Sequence, residues 1–173
     1  MGSLFVRFFV YGKIEIMSIK IKKINLEKNT ELVFNLDNKA FTRNFDFIFK
    51  NLEEMLDFFK DSTPYIVYKN DIPVAYFAIE KRGKGEAEIM TVAVIPNYQR
   101  KGIGRMVVKK AFSLLRDYKL IKIVTHPYNI GAIILYLKSG FKIYGWKGNY
   151  FGDGQPRLLL KKGGDKLEQQ KTL

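Results

Sequence analysis

The chain predicts a mixed α/β sheet, and three observations carry that reading. Period-2 and 3.6-residue apolar patterns alternate along its 173 residues in the order β-αα-βββ-α-β-α-ββ. Residues 120–125, Leu-Ile-Lys-Ile-Val-Thr, are almost wholly apolar, as a strand covered on both faces must be. The β-branched run ending at Ile95 passes through a short glycine-bearing turn straight into a helix-patterned segment from Ile103.

The elements follow in order. Residues 18–24 alternate Ile19 and Ile21 with Lys20 and Lys22, which is a strand with one apolar face. Residues 26–41 hold Leu32, Val33, Leu36 and Ala40 at helical spacing, with Asp37 and Asn38 on the polar side. Residues 45–61 read as a second amphipathic helix with Phe45, Ile48, Phe49, Leu52, Met55, Leu56 and Phe59 on its stripe; Thr42, Arg43 and Asn44 break the two apart. Pro64 and the Asn70-Asp71 pair punctuate strands over 65–69 and 72–80, a hairpin, and a second turn over 81–85 leads into a strand over 86–95. A helix over 103–118 turns Met106, Val107, Ala111, Leu114 and Leu115 inward. After the strand at 120–125, a helix over 129–138 ends at Gly140, and strands over 141–146 and 156–162 flank a loop. With no repeat or linker, one domain over 18–162 is expected. Residues 1–17 form an N-terminal extension or extra strand, and 163–173 a polar tail.

Composition narrows the class. Hydrophobic residues at 47%, 14% of the chain being aromatic, argue for a packed core. No run approaches the roughly 18 apolar residues of a membrane span, and the short apolar start is interrupted by Arg7, unlike a signal peptide. The absence of Cys and a single His, His126, leave no thiolate or multi-histidine metal site and no Cys nucleophile. A metal-free, cytoplasmic protein is the expectation, with no membrane partner and either a monomeric or a homodimeric state. The net charge of +13 suits nucleic acid or an acidic ligand, but the lysines are spread over every segment, as on a solvated surface. Nucleic acid is therefore not expected as the primary partner.

Gln99-Arg100-Lys101-Gly102-Ile103-Gly104 is the most informative segment. A helix start leaves backbone N–H groups unpaired and carries partial positive charge, so it suits an anion. Gly102 and Gly104 allow close approach to the backbone, and Arg100, Lys101 and Arg105 surround the spot with full charges. The pattern is not a phosphate-binding Walker loop, which needs a Gly-Lys-Ser/Thr ending. Nor is it the dinucleotide fingerprint, since Val107 stands where the third glycine belongs. A pyrophosphate cradle is the reading.

This order of elements, with Gln99 to Gly104 matching Q/R-x-x-G-x-G/A, resembles the GNAT superfamily of N-acetyltransferases. Asn129, Ala132, Leu135, Tyr136, Lys138, Gly140 and Phe141 match a second family block, N-x-x-A-x-x-L-Y-x-K-x-G-F, one helix and one strand downstream. The resemblance implies a GNAT fold with a splayed central sheet. It implies acetyl-CoA as cosubstrate, its pyrophosphate on the cradle and its pantetheine arm along Val92, Ala93 and Val94. Asn129 would bind near the pantetheine or cap its helix.

Acetyl transfer to an amine needs a base, oxyanion stabilisation and a proton for the departing thiolate. The resemblance gives the acid as Tyr136 and the oxyanion donor as a backbone N–H near Val92. For the base, Ala87-Glu88-Ile89 matches the A-E-I of the histone-type enzymes, pointing to Glu88. Alternation places Glu86, Glu88, Met90 and Val92 on one face unless a bulge intervenes. The N-terminal acetyltransferases of ribosomal proteins carry a Glu where this chain has Val124. Glu88, His126, Tyr150 or a bound water remain as bases. The loop Gly148-Asn149-Tyr150-Phe151-Gly152 resembles the aromatic peptide-channel loop of those enzymes, with Phe41 and Phe45 on the opposite wall. The expected acceptor is a protein or peptide α-amine, ahead of a lysine side chain and of small amines or polyamines; a catalytically silent CoA-binding domain is the other reading.

Overall fold

The computed structural model describes residues 4–10 and 13–164. The chain runs through β1 (Leu4–Val10), β2 (Lys13–Lys23), α1 (Leu26–Ala40), α2 (Leu52–Phe59), β3 (Ser62–Lys69), β4 (Ile72–Arg82) and β5 (Glu86–Val94). It continues through α3 (Ile103–Leu114), β6 (Leu120–Thr125), α4 (Ile130–Lys138), β7 (Lys142–Lys147) and β8 (Arg157–Gly163). Eight strands form one sheet in the order β1-β2-β3-β4-β5-β6-β8-β7. All neighbours are antiparallel except β5 and β6, which run parallel with α3 as the crossover. The mixed sheet is the expected one. The polar tail expected at 163–173 lies, beyond Gly164, outside the described residues.

The sheet has two buried faces. On one, α3 and α4 cover a core that includes Phe77, Ile79, Ile89, Val107, Ala111, Leu115, Ile123 and Leu160. On the other, α1 and α2 bring Val33, Leu36, Met55 and Phe59 against Ile66, Tyr76, Ala78 and Ala93. Asn70 and Asp71 close the β3–β4 hairpin with φ of 49° and 62°, the left-handed pair that a two-residue type I′ turn requires. Among the described residues, no helix is long and apolar enough to cross a membrane.

The second helix is shorter than the sequence pattern suggests. Residues 41–51 form an irregular connection, and α2 starts only at Leu52. Phe45, Phe47 and Phe49 alternate rather than follow a helical stripe. Phe49 is buried and Ile48, which a helix would have turned inward, is 48% exposed. The start of α2 is fixed by Asn51, whose side chain accepts from the Glu54 N–H at 2.8 Å, and by Glu54, whose carboxylate accepts from the Lys50 N–H at 2.6 Å. This reciprocal cap satisfies donors that a longer helix would have paired internally.

Two irregularities in β5 shape the molecule. Its register with β4 slips between Ala78 and Ile79, so Ile79 faces Ile89 while Ala78 faces Thr91, and Met90 is the extra residue. The bulge breaks the expected alternation. Met90 packs with the α1–α2 core, and Val92 packs with the α3 core instead of sharing the face of Met90. Pairing between β5 and β6 ends after Glu88 and Lys122. Beyond that point the two strands separate, each held only by its outer neighbour.

At the far end of the sheet, Gly163 (φ +82°) leaves β8 with its Cα against the Lys119 backbone, where an added Cβ would stand 2.1 Å from the carbonyl oxygen. Gly163→Ala therefore destabilises the fold by about 2 kcal/mol or more, from clash and left-handed strain together. Urea denaturation of the variant checks this, with an unchanged midpoint as the contrary result.

Candidate active site

The sheet's opening lies at the C-terminal ends of β5 and β6, and two cavities meet there. The first follows from the start of α3. Gly102 (φ +80°) is the N-cap, no side chain caps the first turn, and Arg100 just before it also takes a left-handed φ of 58°. The first backbone N–H groups of α3 thus have no side-chain acceptor and stand beside Arg100 and Arg105, which suits an anion. The groove in front of them, about 360 Å³, is lined by Val92, Val94, Gln99, Gly102, Gly104 and Tyr136, with Phe41 and Arg43 across from them. Gly104 has a packing reason as well, since a Cβ there would stand 3.2 Å from Leu135 of α4. Gln99 turns back to donate to the Val94 carbonyl at 2.9 Å, fixing the end of β5.

The second cavity, about 110 Å³, lies between the separated strands on the α1–α2 side. Met90, Thr91 and Val92 line it from β5, Ile123 through Thr125 from β6, and His126 from just beyond that strand. Phe41, Val92, Asn129, Ala132 and Tyr136 border both cavities, and Phe45 lines the second alone. Tyr136 is buried against Phe141, and burial raises its phenol well above the usual range. The phenol therefore keeps its proton at neutral pH.

The α1–α2 connection forms the outer wall. The Arg43 guanidinium is held by Asp46 in a two-point pair at 3.0 and 2.8 Å. It reaches on to Asn129 Oδ1 at 3.1 Å, the same oxygen that accepts from the Ala132 N–H as the cap of α4. Phe45 stacks on His126 with ring centroids 4.6 Å apart. His126 is fully engaged: Nδ1 accepts from the Tyr128 N–H at 3.1 Å and Nε2 lies 3.3 Å from Gln155 Oε1. In the neutral ring, that places the proton on Nε2. Phe47, Phe58 and Phe151 close the floor of the cavity as an aromatic cluster.

Asp37 lies where the pattern of α1 does not place it. Instead of facing solvent it is 1% exposed and lines the second cavity. The Tyr76 hydroxyl of β4 donates to its Oδ1, and its Oδ2 is the one buried side-chain polar atom without a partner among the described residues. Burial pushes the Asp37 carboxyl up to about 7; the Tyr76 hydrogen bond works against this and the Asp46 charge adds to it.

Of the residues singled out from sequence, Ala93, Lys101 and Ile103 line neither cavity, and Glu88 and Tyr150 also lie apart from both. Glu88 is buried but paired with Arg82 at 2.6 Å, and burial raises its carboxyl against the pull of that guanidinium. Tyr150 is near the same Arg82–Glu88 pair, while its neighbour Phe151 faces the cavity. Asp37, Asp46 and the buried Arg157 are lining residues that the sequence pattern did not single out. Among the described residues, no group of three or more His, Cys, Asp or Glu side chains is placed to hold a metal ion.

The model of the acetyltransferase (GNAT) family matches residues 30–141. Over 87 residues the chain is 32% identical to the ribosomal protein bS18-alanine N-acetyltransferase of Salmonella typhimurium, covering 49% of this chain and only 59% of that relative's length. The crystal structure of the ribosomal-protein-S18-alanine N-acetyltransferase from Escherichia coli matches with a TM-score of 0.70 at 19% identity, over 84% of this chain and 93% of the other. A GNAT family acetyltransferase from Elizabethkingia anophelis with acetyl-CoA bound gives 0.69 at 21% identity, over 84% and 98%. At such identities the structural likeness establishes the fold.

The buried Asp37 gives a pH signature. The unfolded chain releases this proton near 3.8 and the folded chain near 7, so stability falls as pH rises through that window, by on the order of 4 kcal/mol in total. Asp37→Asn keeps an acceptor for Tyr76 and removes the cost. Urea unfolding at pH 5 and pH 8 will show the variant gaining on the native chain as pH rises; a gap independent of pH would exclude a buried ionisation here.

Proposed function

The chain belongs to the acetyltransferase (GNAT) family, and we propose that it transfers the acetyl group of acetyl-CoA to the N-terminal α-amine of a protein or peptide, with residues 18–162 as the catalytic domain. One observation carries this reading. The separation of β5 from β6 joins a groove ending at an uncapped helix N-terminus to a cavity lined by aromatic side chains, and Tyr136 stands at the junction.

In this reading acetyl-CoA is a substrate that lies in the groove. Its pyrophosphate meets the backbone N–H groups of Gly102, Ile103 and Gly104, with Arg100, Lys101 and Arg105 supplying charge. The pantetheine arm runs along Val92, Ala93 and Val94, the stretch of β5 that has lost β6 as a neighbour and can pair with an extended ligand. A backbone N–H at Val92 serves the oxyanion. Asn129 anchors the start of α4, and the Tyr136 phenol, kept protonated by burial, protonates the departing thiolate sulfur. The acceptor enters the second cavity between Phe41 and Phe45 on one wall and the loop carrying Tyr150 and Phe151 on the other. Glu88 lies with Arg82 outside that cavity, so as base it would act through water.

An α-amine acceptor is favoured by the bS18-alanine N-acetyltransferase relative. CoA release measured over a panel of N-terminal peptides, lysine side chains and polyamines tests it, with mass spectrometry locating the acetyl group. Acetylation at α-nitrogen is expected; acetyl-CoA binding without turnover on any amine would overturn the reading. Tyr136→Phe lowers turnover about a hundredfold with acetyl-CoA affinity nearly unchanged. Equal loss of both would mean that Tyr136 serves packing.

A further inference from the structure

We propose that Asp37 is the carboxylate that receives the acceptor amine and takes its proton, with Tyr76 as its positioning residue; this role rests on the acetyl-transfer reading above. The argument starts from what the acceptor cavity offers. Of the groups lining it that can take a proton, His126 has both ring nitrogens engaged, Asp46 is occupied by Arg43, and Tyr136 holds its own proton. Asp37 alone presents a buried, unpartnered acceptor atom, Oδ2. Tyr76 occupies Oδ1 from β4 and so leaves Oδ2 as the atom at which a proton can be gained or lost.

A carboxylate that is 1% exposed and half unsatisfied is costly unless its missing partner comes from outside the chain. An ammonium group supplies what is missing, a cationic N–H donor that can enter through the cavity. The acceptor ammonium gives one N–H proton to Oδ2, and the neutral nitrogen attacks the thioester carbonyl carbon to form the C–N bond. The adduct collapses with cleavage of the C–S bond. The sulfur leaves with the Tyr136 proton, and the excess proton on the adduct nitrogen restores that phenol. Amide and CoA thiol are released, and Asp37 returns its proton to solvent, one per turnover.

The charged and titratable groups around Asp37 are Tyr76 from β4, Asp46 with its Arg43 from the α1–α2 connection, His126 at the end of β6, Tyr136 from α4 and Arg157 from β8. α2 contributes Phe58 and Phe59 and no charge. Burial and the Asp46 carboxylate hold the Asp37 carboxyl near neutrality, where a base can exchange protons with an amine.

The test compares the native chain, Asp37→Asn and Tyr76→Phe, using an α-amine peptide that the native chain acetylates and a weakly basic amine already neutral at the assay pH. Thermal melts and acetyl-CoA affinity monitor the fold. Asp37→Asn is expected to bind acetyl-CoA as the native chain does, to lose about a hundredfold or more in kcat/KM on the peptide, and to lose far less on the weakly basic amine. Tyr76→Phe removes the hydrogen bond that lowers the Asp37 carboxyl, so the rising limb of its pH profile moves to higher pH. Peptide turnover within a few-fold of native, or an equal deficit on both acceptors at every pH, would overturn the proposal while leaving the acetyltransferase reading intact. A native chain that acetylates neither acceptor would overturn both. If Asp37→Asn does not fold, an unshifted limb in Tyr76→Phe refutes the assignment.

Discussion

The rest of the site depends on the loss of hydrogen bonding between β5 and β6 beyond Glu88 and Lys122. A parallel pair inside a sheet normally continues, because each unpaired backbone group that is buried costs a hydrogen bond. Here the Met90 bulge turns β5 at the point of separation, and β8 continues to hold β6 as far as Thr125. The strands can part because each keeps one complete ladder. A groove with exposed strand edge and a cavity between strands are consequences of that single departure. The uncapped start of α3 lies at its mouth because only a short turn, with a 3-10 stretch at Pro96–Tyr98, separates it from the end of β5.

The walls of the opening are held by polar links between segments distant in sequence. Arg43 connects the α1–α2 segment to the cap of α4 through Asp46 and Asn129, and the Phe45–His126 stack joins the same two segments through ring contact. The Asp37–Tyr76 pair is different. It lies in the core between α1 and β4 and costs stability at neutral pH, because one carboxylate oxygen has no partner. A folded chain tolerates such a cost most readily where a reaction uses it, and Asp37 lies against the cavity between the separated strands.

Much of this was legible along the chain. Gln99 to Gly104 announces a strand–turn–helix because its glycines cluster where the apolar period changes, and the Asn129 to Phe141 block carries its cap, its tyrosine and its terminating glycine at fixed local spacings. The segment over 45–61 misled because Phe45, Ile48 and Phe49 satisfy a helical stripe while Phe45, Phe47 and Phe49 satisfy an extended run. Only the cap at Asn51 and Glu54 decides between them. Asp37 was hidden for a related reason. Helical periodicity assigns a carboxylate to the polar face, and nothing local reveals that Tyr76, 39 residues away, will receive it in the interior.

The sequence by itself determined the order of elements over 18–162, the mixed sheet and the glycine-bearing helix start at Gly102, because these rest on periodicity, glycine placement and capping within a few residues. It also supplied the amino acids at both motif blocks. The tertiary structure alone decided which groups share a cavity. It placed Glu88 with Arg82, Tyr150 beside that pair and Asp37 against the cavity between the separated strands, while a one-residue bulge at Met90 sent Met90 and Val92 to opposite cores. A register shift of one residue reverses the face of a strand, and only the packed sheet fixes where that shift falls.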